Sequence, residues 1–512
     1  MSSERQRWYR RRIVIVLGAV VAVLVSAAAV FALTRPGDVF NSDVEFRAEE
    51  SPTSVPTEEP EAPSGKKKKK AKRDPLDGFV WPTYGYSNDR RRYLPTEPSV
   101  KPPFRLDWSR KFPVLLEFPP IIVGNRLYTV GNAGVVVALN RTTGKLVWRR
   151  DLGYLAASSP AYGNKRIYVT ILERAKGVRA GRVAALDAKT GKIAWSRKLR
   201  SRSESSPLFV DGRIYFGAED GTLYAMRAND GSTQWTFRSA GAIKGGPALA
   251  DGNLFFGTYG GNVYAVRQRT GKQVWRTGTS GANFGLSAGN FYSSPAVAYG
   301  RVYIGNTDGN MYSFSAATGR LAWRRGTGSY VYASPAVAQV RGGKPSIYFG
   351  SYDGTFYALD ARTGATRWTH KDGGKISGAA TVVGDVVYYS NWGKRDSTGL
   401  WAKSGGVAWR TGRGAFNPVV SDGSTIYVTG FSSIGAFTPK TKAQRVATRK
   451  RKAEKAKAAK KRKAARRKAE TKRKATKNKA TKRKAAKRKA AKRKAAKRKA
   501  AKKRRARRSN RD

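Results

Sequence analysis

The sequence predicts an all-β protein: an eight-bladed β-propeller of four-stranded antiparallel blades, with one N-terminal transmembrane helix and a disordered basic tail. Three observations predict the propeller. Eight tryptophans, Trp108, Trp148, Trp195, Trp235, Trp275, Trp323, Trp368 and Trp409, recur at intervals of 40, 47, 40, 40, 48, 45 and 41 residues, and such a period marks one supersecondary unit copied in series. Each unit carries four short runs of alternating apolar and polar residues, the pattern of half-buried strands. The third copy, Ser206 to Phe237, separates its runs with Asp211-Gly212, Asp220-Gly221 and Asp230-Gly231, pairs suited to tight hairpin turns. Finally, the last unit stops at Phe437 before any tryptophan strand, while the first tryptophan strand, Phe104 to Trp108, has no three strands ahead of it. Together they complete one blade and leave no open edge.

Taken in order, residues 1–12 form a basic N-terminus with Arg5, Arg7, Arg10, Arg11 and Arg12. Residues 13–33 are uncharged throughout, and at about 1.5 Å per residue they match a bilayer core of about 30 Å. The arginines before this span hold the N-terminus in the cytoplasm and send the rest of the chain across. Residues 34–78, rich in Pro, Ser and Glu and then in lysine, predict a disordered linker that lets the propeller stand off the membrane. The propeller occupies 79–440. Residues 441–512 form a low-complexity Lys/Arg/Ala tail with 39 cations against three acids, part of a whole-chain net charge of +67. Its Ala-Lys-Arg-Lys-Ala pentads make no apolar seam, and like-charge repulsion predicts an unfolded tail that a polyanion would render helical. In composition the tail resembles the lysine-alanine tails of linker-histone-like bacterial proteins.

The stretches Ala184-Ala185-Leu186-Asp187-Ala188-Lys189-Thr190-Gly191-Lys192-Ile193-Ala194-Trp195 and Tyr357-Ala358-Leu359-Asp360-Ala361-Arg362-Thr363-Gly364 resemble the pyrroloquinoline quinone (PQQ) repeat. So do the opening Trp81-Pro82-Thr83-Tyr84-Gly85 and the recurrent Ser-Pro-Ala, and the resemblance runs from Val80 to Pro439. It implies eight blades, with the tryptophans and Thr-Gly pairs as a docking motif between neighbours. In the family's dehydrogenases a calcium-bound quinone works with a catalytic aspartate, often beside an adjacent-cysteine disulfide. This chain has no cysteine and offers no residues onto which those ligands map, so no cofactor is predicted.

Catalytic and metal-binding residues are scarce. With one histidine, His370, and no cysteine, His/Cys metal sites and cysteine nucleophiles are excluded. Asp211, Asp220, Asp251, Asp308, Asp353 and Asp422 precede glycine at turns and read as turn chemistry. No catalytic or metal residues are assigned. Function on a repeat scaffold resides where the copies differ, and the irregular loops gather on one face. That face carries Arg202, Lys244, Phe284, Tyr292, Tyr330, Tyr332, Trp392, Lys394 and Arg395 as a candidate binding surface, with Phe291 beside them. Aromatic rings beside cations suit a sugar ring or an anionic group. The propeller span itself holds 48 cations against 20 acids, which points to an anionic environment. The leading expectation is a non-enzymatic, single-pass, membrane-anchored binding or scaffold protein outside the cytoplasmic membrane. It would engage protein partners and anionic polymers: wall phosphate polymers, lipid headgroups or nucleic acid. The alternatives are a PQQ-dependent quinoprotein oxidoreductase and a membrane-tethered nucleic-acid-binding protein.

Overall fold

The computed structural model describes residues 37–48, 74–96, 100–279 and 289–508, and the chain divides into two units between Pro439 and Lys440. The first unit is an eight-bladed propeller. Blades 1 to 7 span residues 121–151, 161–198, 208–238, 248–278, 296–326, 336–371 and 381–411, each a four-stranded antiparallel meander in chain order. Blade 8 takes three strands from Val420–Ser421, Ile426–Thr429 and Ser433–Pro439 and its outermost strand from Phe104–Lys111. Ser433 pairs with Lys111 and Pro439 with Phe104, so the spare strand near the N-terminus seals the ring.

A β-bulge sits beside the tryptophan in every blade. In blade 2 Trp195 faces Ala185 and Ile193 faces Leu186, so that Ala194 is the extra residue. The other seven blades repeat the offset, and the residue opposite the tryptophan is always small: Ala138, Ala225, Ala265, Ser313, Ala358, Gly399 and Ala436. A bulge re-aims the side chain next to it, and a small cross-strand partner leaves room for an indole.

The indoles staple each blade to the next. Trp148 Nε1 donates to Ala188 O of blade 2 at 3.0 Å, and Tyr128 Oη donates to the same carbonyl at 3.0 Å. Equivalent bonds run from Trp108 to Arg141 O, Trp195 to Ala228 O, Trp235 to Gln268 O, Trp275 to Ala316 O, Trp323 to Ala361 O and Trp368 to Ala402 O. Each of these seven rings lies flat against the glycine of the next blade's outer turn. A Cβ on Gly144, Gly191, Gly231, Gly271, Gly319, Gly364 or Gly405 would come within 2.5–2.8 Å of a ring atom. Trp409 is the exception. The outer strand of blade 8 arrives from the N-terminal side, so no turn carries a glycine there, and Trp409 packs instead on Phe104 and Phe437.

Two sequence expectations need correction. Part of the 34–78 linker is ordered on the propeller: Val39–Phe40 adds a fifth strand to the outer edge of blade 5, pairing with Arg324 and Trp323. Asp43 pairs with Arg320 at 2.5 Å, Val44 is buried, and Arg301 donates to the Val44 and Glu45 carbonyls. Polar composition misleads here because an unpaired blade edge offers backbone hydrogen bonds to any extended segment. The second correction concerns the tail, which was expected to be unfolded. The second unit is one continuous α-helix, Lys442–Arg508. Thr441 and Gln444 form a reciprocal capping box, Oγ1 accepting from the Gln444 N–H and Oε1 from the Thr441 N–H. No glycine or proline interrupts 441–512, and Ala, Lys and Arg are strong helix formers. No helix among the described residues is long and apolar enough to cross a membrane. The span predicted at 13–33 lies outside the described residues.

Candidate functional site

The bore of the propeller is filled by its own chain. From Trp81 to Leu94 an irregular segment passes the innermost strands of seven blades in succession. Val80–Trp81 pairs with the first strand of blade 1, and Pro82 O accepts from Tyr162 of blade 2. Thr83 Oγ1 donates to Pro207 O of blade 3. The carbonyls of Asn88, Asp89, Arg91 and Arg92 then accept from Leu249, Val297, Val337 and Val382 of blades 4 to 7. Tyr86, Arg90 and Arg92 adopt positive φ, which lets the segment turn successive carbonyls outward.

Arg90 and Arg92 are fully buried within this segment. Arg90 Nε donates to Pro247 O at 2.6 Å, Nη2 to Ser206 O at 2.9 Å and Nη1 to Tyr84 O. Arg92 Nη1 donates to Arg90 O and Pro335 O. Burial, with Arg92 nearby, pulls Arg90 down to about 9, so it stays charged at neutral pH. Positions just before the first strands of blades 3, 4 and 6 thereby acquire a purpose: the carbonyls of Ser206, Pro247 and Pro335 receive the guanidiniums. Serine hydroxyls at the Ser-Pro positions link blades, Ser206 Oγ accepting from Ser159 N, Ser294 Oγ from Gly246 N and Ser334 Oγ from Ser294 N.

Against this segment lies a cavity of about 240 Å³, opening on the face of the inter-blade and second-to-third-strand loops. Tyr84, Phe118, Tyr292, Tyr332, Tyr352, Trp392 and Phe416 line it, with Glu117, Lys244, Asn417 and four serines. Its aromatic residues belong to a longer arc. Tyr259, Tyr292, Tyr332 and Tyr352 contact one another in sequence with centroids 4.9–6.2 Å apart. Lys375 Nζ lies over both Tyr352 and Trp392, and Trp392 continues to Phe416 and Phe431.

The structure brings Lys244, Tyr292, Tyr332 and Trp392 of the predicted binding face to the cavity wall. Tyr330 stands outside it, 46% exposed and edge-on to Tyr332. The predicted cations are already engaged. Lys244 pairs with Glu204 at 2.5 Å and Glu219 at 3.0 Å, Arg202 lies 3.4 Å from Glu173, and Lys394 pairs with Asp372 at 3.1 Å. Arg395 stacks over the Phe431 ring. Burial alone would lower Lys244, but the Glu204 and Glu219 carboxylates outweigh it and hold the ammonium above its ordinary range. Phe291 is not on the face at all; it is fully buried between blades 4 and 5. Phe284 lies outside the described residues.

Sequence reasoning missed Glu117, Phe118, Tyr352 and Phe416. None breaks the repeat pattern by length, which was the signal used; only their composition, aromatic or acidic at inter-blade positions, could have drawn notice. Glu117 has no ion-pair partner among the described residues, and burial together with the Glu204 charge raises its carboxyl above the usual range. Of the six turn aspartates named above, Asp220, Asp308, Asp353 and Asp422 each accept from a turn N–H, as with Asp353 Oδ1 from Thr355 N at 2.7 Å, while Asp211 and Asp251 take the left-handed backbone of their turns. His370 sits on the outer strand of blade 6, its Nε2 3.1 Å from Arg410 Nη2.

The donor set does not fit a calcium-bound quinone. The cavity wall supplies one carboxylate, Glu117, and the Asn417 amide donates to Leu116 O. Among the described residues no three His, Asp or Glu side chains come together as metal ligands.

The family model for the outer membrane protein assembly factor BamB matches residues 105–178, 132–243, 238–429 and 338–471, overlapping segments that cover most of the chain. No curated protein matches the sequence. Among solved structures, BamB of Moraxella catarrhalis aligns with TM-score 0.54 at 18% identity, over 66% of this chain and 98% of the other. Quinohemoprotein alcohol dehydrogenase ADHIIG of Pseudomonas putida HK5 aligns with TM-score 0.57 at 16% identity, over 70% and 80%. A europium-containing methanol dehydrogenase gives TM-score 0.58 at 14% identity, over 70% and 98%. At such identities the likeness concerns the fold alone.

Proposed function

Since the chain belongs to the family of the outer membrane protein assembly factor BamB, whose repeats are PQQ-like propeller blades, we propose that it is a non-enzymatic binding propeller. It holds a protein partner on its aromatic loop face, outside the cytoplasmic membrane. Residues 13–33 serve as a single-pass anchor in this reading, and the basic helix grips anionic envelope polymers by charge. One observation carries the reading: the cavity offers aromatic surface and satisfied ion pairs, with the bore behind it filled by the chain itself. Such a wall suits recognition, because aromatic rings supply large contact area at low entropic cost. It offers neither a nucleophile with a base nor a cofactor cradle.

The test is photo-crosslinking in intact cells from a benzoylphenylalanine at Tyr330, with protease treatment of spheroplasts in parallel. A discrete protein adduct, together with digestion of the tail from outside, supports the reading. The absence of any protein adduct sinks the scaffold role. A protected tail would place the propeller in the cytoplasm and revive the nucleic-acid alternative. Quinone chromophore retained by protein purified with PQQ and calcium would restore the oxidoreductase.

A further inference from the structure

The geometry points to a specific ligand chemistry for this cavity: the ammonium or guanidinium of a partner protein's lysine or arginine side chain, received by Glu117 within an aromatic cage. The inference rests on the binding-face reading above but reverses the sign of charge that the sequence suggested.

The reversal follows from the pairing. Lys244, the one cation in the wall, is neutralised by Glu204 and Glu219, and its neighbour Arg202 by Glu173. The charged side chain in the wall that has no counter-ion among the described residues is therefore Glu117. A half-buried carboxylate facing a cavity attracts a cation strongly because solvent screens it poorly. Tyr84, Phe118, Tyr292, Tyr332, Tyr352, Trp392 and Phe416 complete the cage, and their ring faces attract ammonium and guanidinium groups through the quadrupole of the π-system. The chain itself shows the preference at the rim, with Lys244 Nζ 5.1 Å over Tyr259 and Lys375 Nζ 5.3 Å over Tyr352.

Two features select an amino-acid side chain over an amino sugar. The hydroxyls of Ser206, Ser294 and Ser334 already accept backbone N–H groups from adjoining blades. Each keeps its own O–H, but seven aromatic rings make up most of the remaining side-chain wall, and their faces suit a methylene stem that ends in a cation. The cavity lining also runs from the Trp392 loop to Tyr84 on the axial segment, and about 240 Å³ admits an extended arginine stem.

Saturation-transfer NMR on the full chain in detergent micelles tests this with n-butylguanidinium chloride as the probe. The expected result is saturable binding, displaced by Nα-acetyl-arginine methylamide and not by n-butanol or glucosamine. Glu117→Gln keeps the shape and should weaken the probe at least about tenfold, while Lys272→Gln, on the exposed outer turn of blade 4, leaves it unchanged. Displacement by glucosamine, or equal affinity in Glu117→Gln with the fold intact by calorimetry, overturns the inference. Its failure is distinguishable from that of the scaffold reading. Glu117-dependent probe binding without any Tyr330 adduct would leave the pocket standing and remove the partner. An adduct without probe binding would do the opposite.

Discussion

Two glycines with the same backbone but different neighbours measure what the tryptophan staples contribute. Gly191 and Gly212 both hold φ of +69°, yet a Cβ on Gly191 would come within 2.6 Å of the Trp148 ring, while one on Gly212 meets nothing within 4 Å. Gly212→Ala therefore carries only the left-handed penalty, about 1–2 kcal/mol. Gly191→Ala adds the overpacking of an indole held on its far side, about 1–3 kcal/mol more. For a propeller of about 360 residues, unfolding entropy scales to about 0.75 kcal/mol per degree, so the melting temperature should fall by about 2 °C in the first case and about 3–7 °C in the second. Differential scanning calorimetry at one scan rate would measure both. In a Trp148→Leu background the ring is gone, and Gly191→Ala should cost no more than Gly212→Ala. Equal shifts for the two single variants, or a Gly191 penalty unchanged without the indole, would refute the stapling argument.

Three further outcomes follow from particular contacts. Glu117 has its folded pKa raised above its ordinary 4.5, so its favourable protonated state is fully present below that value and lost as pH rises. Glu117→Gln should accordingly be more stable than the parent at neutral pH, by a few tenths to about 1 kcal/mol, with the difference vanishing below about pH 4.5 in a urea titration. Val44 is 5% exposed against blade 5, so Val44→Asp should release the ordered segment 37–48 locally, raising tryptic cleavage after Arg47 by about tenfold or more while the propeller's melting temperature barely moves. Finally, comparing the full chain with one truncated after Pro439 by circular dichroism should reveal the helix Lys442–Arg508. Its signal should grow between about 10 mM and 500 mM salt as screening relieves lysine–lysine repulsion; a signal that shrinks would speak against a charge-limited helix.

The ring was legible in the sequence because its determinants are periodic. Tryptophans every 40 to 48 residues and a spare strand at Phe104 required no knowledge of contacts. In three copies the small residue opposite the indole even stands as the alanine of an Ala-Leu pair, at Ala138, Ala185 and Ala358. The axial segment was not legible, since its partners lie far off in the chain: Arg90 reaches Ser206 and Pro247, and Arg92 reaches Pro335. Its opening motif could be noticed but not its role as a core. The pairing of the site's cations was not legible for a related reason. Lys244 and Arg202 were visible as cations, but their counter-ions come from other blades and loops, and only the folded ring sets Glu204, Glu219 and Glu173 beside them. The tail shows the converse: local propensity was recognised, and repulsion was given too much weight against it.

The strand that seals blade 8 has a consequence for biogenesis. Phe104–Lys111 leaves the ribosome more than 300 residues ahead of Ser433–Pro439, the edge it joins, an interval of about 15–65 seconds at about 5–20 residues per second. Throughout that wait it is an orphan edge, the kind of segment that recruits other nascent chains. Its composition reads as a safeguard: Arg105, Asp107, Arg110 and Lys111 are interleaved with its three large apolar residues, and such charges act as gatekeepers against cross-pairing. The same residues that leave the finished rim polar thus keep the unfinished chain soluble until its last blade emerges.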